Sequence, residues 1–264
     1  MSLAAAHRSW LPSRTGVILE RNVITYRRQW IAFATGFFEP VFYLLSIGIG
    51  VGALVGRIPL GDGRTVAYAE FVAPAMLATS AMNGAVYDAT YNMFFKLRYA
   101  RTFESMLATP IGVADIAAGE LAWTLTRGGL YSVGFLAFAV VLGLVVSWWA
   151  LLAVPVALLI GFAFGAVGMA ATTWIRGIAD FDYVQLGLIP MMLLSATFFP
   201  ADTYPGLTRW LVELSPLYHG VALERGLMLG QVGWDLVAHL AVLLALGAAG
   251  MKVLSRRLAA LLLR

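Results

Sequence analysis

The chain has 264 residues, of which 61% are hydrophobic and 12% charged, with a formal net charge of +4. Soluble domains average roughly 45–50% apolar and about 25% charged residues, so this composition belongs in a bilayer. Cysteine is absent, which excludes a disulfide framework and any cysteine-based metal or redox site. The basic residues lie beside apolar runs rather than along one soluble face, so they read as topology signals and point to no nucleic-acid partner.

Five arginines and no apolar signal core occupy the first 29 residues, so no cleaved signal peptide is expected. Residues 13–28 place Val17, Ile18, Val23 and Ile24 among Arg14, Glu20, Arg21, Arg27 and Arg28, as an interfacial amphipathic helix would. A solvated helical lead-in is the competing reading. Crossing the hydrocarbon core takes about 20 apolar residues. Six windows qualify: about 30–55, 71–95, 116–146, 148–173, 183–199 and 236–254. Between Arg127 and Arg176 stand 48 residues without Asp, Glu, Lys or Arg. One straight helix of that length would run about 72 Å, more than twice the core thickness, so the segment must turn back. Ser147, Trp148 and Trp149 suit that turn at an aromatic interface. Residues 200–233 follow the fifth span and are rich in Trp, Leu and Val, with breaks at Pro205, Gly206, Pro216, Gly220 and Gly230. They predict two short helices dipping back into the membrane on the outer side.

Lysine and arginine are retained in cytoplasmic loops. The six-span topology puts fourteen of them on one side and only Arg57, Arg64, Arg209 and Arg225 on the other. Both termini are therefore expected in the cytoplasm. The fold class is an all-α integral membrane domain over residues 1–264, with no linker to a second domain.

No nucleotide-hydrolysing motif is present. A phosphate loop ends in Gly-Lys-Ser/Thr, whereas the two lysines follow Phe95 and Met251. His7, His219 and His239 are far apart in sequence and form no metal-ligand pair. Glu39 and Asp88 interrupt membrane spans, where an ionisable group is costly enough to suggest function. With Tyr43, Tyr87, Tyr91, Phe198 and Phe199 they are the candidate route-lining residues. A buried packing role, with Asp88 paired to Arg127, is the alternative. Gly48, Gly52 and Gly56, and Gly161 and Gly165, recur at four-residue spacing and allow close helix approach, within the chain or between copies. On the cytoplasmic side, Phe103, Met106 and Leu107 fall on one face of a short basic helix ended by Pro110. That face suits docking in a partner's groove, or lying on lipid.

These residues resemble the type-2 ABC transporter permeases, in the branch of nodulation lipo-oligosaccharide exporters and daunorubicin-type drug exporters. The resemblance runs from about Arg27 to Gly230. It rests on Glu39-Pro40 with Leu44 to Gly52, Ala75 to Met82, Arg101 to Pro110, Gly119 to Trp123, Ser195 to Pro200 and Leu214 to His219. Ala196 and Thr197 depart from the family, which carries a small residue or glycine just before Phe-Phe-Pro. The resemblance implies that residues 98–110 are a coupling helix held in a cleft of a separate ATPase subunit. Arg98, Arg101, Thr102, Phe103, Glu104, Met106, Leu107 and Pro110 would then be its contacts. It also implies two permease copies with two ATPases, ATP and Mg²⁺ bound on the partner subunit, and no cofactor, metal or catalytic residue on this chain. Substrates of the branch are amphipathic: lipid-linked saccharides and glycolipids first, drugs second. A secondary transporter would be expected to show paired broken helices, which this sequence lacks. A membrane scaffold or intramembrane enzyme finds no motif.

Overall fold

The computed structural model describes residues 14–26, 38–60 and 62–263. The start of the expected first span, residues 30–37, lies outside them, as do His7, Arg8, Arg27, Arg28 and Arg264.

The described chain is mostly helical. Helix α1 (Arg14–Tyr26) lies along α5 (Val113–Val141). It buries Ile18 and Asn22 and leaves Val17, Val23 and Ile24 exposed. Gly119 makes the contact possible, since a Cβ there would stand 2.7 Å from Ile18. Helix α2 (Phe38–Val55) carries a π-helical stretch, Leu44–Val51. Helix α3 (Tyr68–Tyr87) continues into two further wide turns, Asp88–Asn92 and Phe95–Tyr99. The Glu70 carboxylate accepts from the Ala67 amide at 2.6 Å and fixes its first turn. After the short α4 (Thr102–Leu107) and α5 comes the reversal. Gly143 adopts φ +71°, a left-handed geometry that favours glycine. A 3₁₀ turn, Trp148–Leu152, then leads into α6 (Ala153–Thr172). Helix α7 spans Phe181–Leu193, α8 Gly206–Leu214, α9 Pro216–Met228 and α10 Asp235–Leu262.

The centre of the bundle is α6, which touches α3, α5, α9 and α10. Its glycines let the neighbours approach: Gly161 meets Leu125, Gly165 meets Leu121 and Thr124, and Gly168 meets Ala89 and Thr90. Gly48 likewise faces Ala69 on α3. Gly48, Gly52, Gly161 and Gly165 thus serve packing inside one chain, Gly52 against Tyr68, whereas Gly56 has open space beside it and takes φ +76° at the end of α2. Outward-facing Leu130, Val133, Val141, Val237 and Leu244 are exposed, the pattern of small residues within and apolar ones toward lipid.

Two features differ from the sequence reading. An antiparallel hairpin, β1 (Arg57–Pro59) with β2 (Thr65–Ala67), follows α2, so the domain is not purely helical. Gly63 turns it at φ +81° and Arg57 Nη2 donates to the Thr65 carbonyl at 2.6 Å. Three-residue strands are too short to show alternation, and the Asp62-Gly63 turn signal between them is all the sequence offered. The fifth window also ends early: α7 stops at Leu193, about 20 Å long at 1.5 Å per residue. Pro190 lies inside it, and Ser195 to Phe199 leave helical geometry, with Ala196 at φ +54°. Among the described residues, 4 helices are long and apolar enough to cross a membrane: Phe38–Val55, Val113–Val141, Trp148–Thr172 and Asp235–Leu262.

The two short helices expected in residues 200–233 are present as α8 and α9, broken at Pro205 and at Ser215-Pro216. Gly220 is no break. It lies inside α9, where a Cβ would meet Ile160 at 2.9 Å. Helix α9 is buried among α3, α6 and α10, whereas α8 exposes Leu207, Trp210, Leu211 and Leu214.

Candidate functional site

A cavity of about 340 Å³ opens between α2, α3, α5 and the end of α7. It gathers residues nominated from the sequence: Glu39, Tyr43, Tyr87, Asp88, Tyr91 and Phe198 all line it. Phe199 does not; its ring is exposed beyond the wall. The wide turn Asp88–Asn92 interrupts the α3 spiral where Asp88, Tyr91 and Asn92 reach the cavity, and such π turns recur at functional sites.

Glu39 and Asp88, equivalent in the sequence, have different environments. Asp88 forms an ion pair with Arg127 of α5, and its carboxylate also accepts from Asn92 Nδ2 and, at 2.6 Å, from Thr124 Oγ1. Tyr26 of α1 donates to Asn92 Oδ1 at 2.5 Å and stacks on Trp123 at 5.2 Å. Burial, with the Asp88 charge nearby, pushes the Tyr26 phenol up to about 12, so it stays a donor at any physiological pH. The pairing of Asp88 with Arg127, an alternative in the sequence reading, is therefore present, and it lies in the cavity wall. Glu39 is exposed at the cavity and has no ion pair among the described residues. Among the described residues it is the wall's uncompensated negative charge.

Aromatic contacts tie the wall to α7. Tyr87 Oη and Gln185 exchange a hydrogen bond at 2.9 Å, and Tyr91 stacks on Phe181 with centroids 4.1 Å apart. The wall therefore offers aromatic faces, carboxamides, one free carboxylate and a neutralised ion pair. It can bind and orient a polar group beside apolar surface, but among the described residues it holds no nucleophile-base pair or proton chain.

Next to this site, Lys96 bonds Glu120 Oε2 at 2.5 Å and Asn22 Oδ1 at 3.0 Å, joining α3, α5 and α1. Sequence reasoning missed that cluster, and with it Asn83, Asn92, Thr124, Tyr131 and Gln185. One signal was available. Thr124, Arg127 and Tyr131 follow the three- and four-residue spacing of one helix face, as do Tyr87 with Tyr91 and Asp88 with Asn92.

The 98–110 stretch is not one helix. Arg98 lies inside the wide turn Phe95–Tyr99, Arg101 takes φ +46°, and α4 covers only Thr102–Leu107. The apolar face expected to be exposed is turned inward: Phe103 is 1% exposed, and it packs with Met106, Ile18, Leu97, Ile116 and Leu258. The amphipathic pattern marks the face that holds α4 to its own bundle. What remains outside is Arg98, Tyr99, Ala100, Arg101, Glu104, Ser105, Ala108, Thr109 and Pro110, with Thr102 and Leu107 half-buried.

Two further groups were unforeseen. His219 and His239, far apart in sequence, meet with Nδ1 atoms 2.7 Å apart, so one imidazole donates and the other accepts. No cluster of three metal-ligating side chains occurs among the described residues. Glu224 on α9 is fully buried, with no hydrogen-bond partner for either carboxylate oxygen among the described residues. Its neighbour Arg225 donates to the Ala196 carbonyl at 2.9 Å and lies 3.8 Å over the Phe71 ring.

A helical bundle with a polar, aromatic cavity inside lipid-facing helices defines a membrane transport subunit, one that carries no nucleotide-binding motif of its own. Residues 13–229 match the ABC-2 type transporter family, and the chain belongs to it. It is 36% identical to nodulation protein J of Rhizobium leguminosarum bv. viciae over 245 residues, 92% of this chain and 90% of that protein. It is also 36% identical to nodulation protein J of Sinorhizobium fredii, over 86% of this chain and 85% of the relative. The inner membrane transport permease YadH of Escherichia coli is 24% identical over 82% of each chain. The chain is thus an ABC-2 permease, a membrane transport subunit rather than an enzyme, of a family that works with an ATP-using ATPase partner.

Proposed function

We propose that this permease exports an amphipathic substrate, a lipid-linked saccharide or glycolipid, from the cytoplasm or inner leaflet. The observation that carries the reading is the convergence of Glu39, Tyr43, Tyr87, Asp88, Tyr91 and Phe198 on one cavity. Aromatic faces suit the apolar faces of sugar rings, and Asn83, Asn92 and Glu39 suit hydroxyls. A lipid tail would remain against the apolar outer helices. Drug efflux with the same architecture is the second reading, favoured by the uncompensated Glu39, which would also attract a hydrophobic cation.

The working unit in this reading is two permease copies and two ATPase subunits, with ATP and Mg²⁺ on the latter. The chain crosses the inner membrane six times as one domain, with both termini cytoplasmic; α3 and α7 complete the set, and α8 and α9 form the outer re-entrant pair. The ATPase engages residues 98–110 through exposed Arg101, Glu104 and Pro110, while Phe103 and Met106 transmit its movement to α1, α5 and α10. Close packing makes that transmission a shift between discrete arrangements rather than a local flexing.

The test is ATP-driven transport in proteoliposomes holding both subunits. A labelled glycolipid should move to the outer leaflet, and Glu39→Gln with Tyr87→Ala should lower that flux by at least about tenfold, two hydrogen bonds' worth. A hydrophobic cation moving while the glycolipid does not would establish the second reading. Flux unaffected by both substitutions would refute the site.

A further inference from the structure

A second, three-arginine site stands at the α4 end of the bundle, apart from the cavity just described. Arg98, Arg176 and Arg257 line a pocket of about 240 Å³ together with Thr173 and Trp174. No carboxylate lines it, and none of the three arginines forms an ion pair among the described residues. Two of them are held in place by neutral groups. Arg257 lies 4.4 Å over the Trp174 ring, with Nε 3.5 Å from Thr173 Oγ1, and Arg98 Nη2 donates to the Ile175 carbonyl at 3.3 Å. Three like charges drawn together without a counter-ion repel one another, so the pocket is complementary to an anion.

Trp174 and Arg176 also line the next cavity, of about 670 Å³, between α3, α6, α7 and α10. Its walls are Val86, Phe164, Val167, Val184, Leu188 and Leu246. The carboxylate at its rim, Asp180, accepts from the Arg176 amide at 2.7 Å and the Gly177 amide at 3.3 Å. From Ala171 to Phe164 the groove follows two turns of α6, about 10 Å into the bundle. A cationic pocket beside an exposed tryptophan, opening on a long apolar groove, matches a phosphodiester joined to an acyl chain. Basic pockets between membrane helices on the cytoplasmic side bind anionic head groups in this way.

We propose that an anionic phospholipid binds here, its phosphate on Arg98, Arg176 and Arg257 and one chain in the groove between α6 and α7. Only the placement of this site on the cytoplasmic side rests on the orientation proposed above. Binding is read without transport, so failure of this site and failure of the export reading are separable.

The purified chain in detergent is titrated with phosphatidylglycerol, phosphatidylcholine or inorganic phosphate, and bound lipid is counted by native mass spectrometry. Phosphatidylglycerol is expected to bind at least about tenfold more tightly than phosphatidylcholine. R176Q/R257Q should remove that preference. Gly187→Trp fills the groove from a position with open space beside it, and should weaken phosphatidylglycerol binding with the arginines intact. Thermal unfolding checks that each variant is folded; if the double variant is not, R176K/R257K, which keeps the charge and loses the fork, should retain partial preference. Equal binding of the two lipids overturns the proposal. So does phosphate alone competing as strongly as the lipid, which would make the site a free-anion site. Loss of ATPase copurification in R176Q/R257Q with lipid binding unchanged would make it a protein contact and overturn it as well.

Discussion

Replacing Asp88 with leucine tests the construction of the cavity wall most directly. Asp88 and Arg127 have 6% and 18% of their side chains exposed. Removing one member of a buried pair leaves the other charge uncompensated, at a cost of about 3–5 kcal/mol. Thr124 and Asn92 lose their acceptor too, adding about 1 kcal/mol each at most. Against that, the cavity gives Arg127 some access to water, and Tyr26 and Tyr131 lie 5.7 and 5.9 Å from its guanidinium. These soften the loss, which places Asp88→Leu near the lower end, about 3 kcal/mol less stable. Arg127→Leu strands the Asp88 charge in the same way, whereas Asp88→Leu with Arg127→Leu removes both charges and should cost far less than the two single losses summed, a coupling of at least about 2 kcal/mol in a double-mutant cycle. Equilibrium unfolding in mixed micelles measures all four members. If the two single losses simply add, the pair is not the support of this wall and the reasoning fails.

Phe103→Ala should destabilise the bundle by about 3–5 kcal/mol as a buried aromatic truncation. Glu104→Arg, on the exposed side of α4, should leave unfolding within about 0.5 kcal/mol while reducing copurification of the ATPase; thermal unfolding and pull-down separate the two effects. Gly250→Ala should loosen α10 from α6, because its Cβ would lie 2.8 Å from the Val167 backbone nitrogen; protease resistance of α10 reports it. Burial pushes the Glu224 carboxyl well above the ordinary carboxylate range. A proton is therefore held more tightly in the folded state, so folded stability falls as pH rises from the unfolded value, about 4.3, toward the folded one. Glu224→Gln should accordingly stabilise the protein at pH 7 and make no difference near pH 4, as read by unfolding at both values. Ala196→Gly should also stabilise, by up to about 1–2 kcal/mol, by relieving the left-handed conformation; its melting temperature checks this.

The membrane class, the helix boundaries around Gly143 and Pro216, and the family were legible in the sequence. Hydrophobic run length, turn residues and local motifs act over a few residues and need no tertiary contact to be read. Six of the seven nominated route residues share the cavity for a related reason: polar and aromatic groups in an apolar span must turn toward protein or water. The amphipathic stripe of α4 shows the limit. Periodicity gave its apolar face correctly, but it does not say whether that face meets a partner or its own chain. Burial of Phe103 in one cluster with Ile18, Ile116 and Leu258 shows that it meets its own chain.

The same distinction separates Glu39 from Asp88. Both are single carboxylates in apolar windows. Arg127 stands 39 positions from Asp88, and no local pattern encodes which of the two acids it will reach. The His219–His239 contact, the lone Glu224 and the three-arginine pocket are likewise assembled from distant segments. Sequence by itself determined which residues could not tolerate lipid. The tertiary structure decided which of them are satisfied by one another and which remain free for a ligand, because a charge's partner is fixed by distance in space.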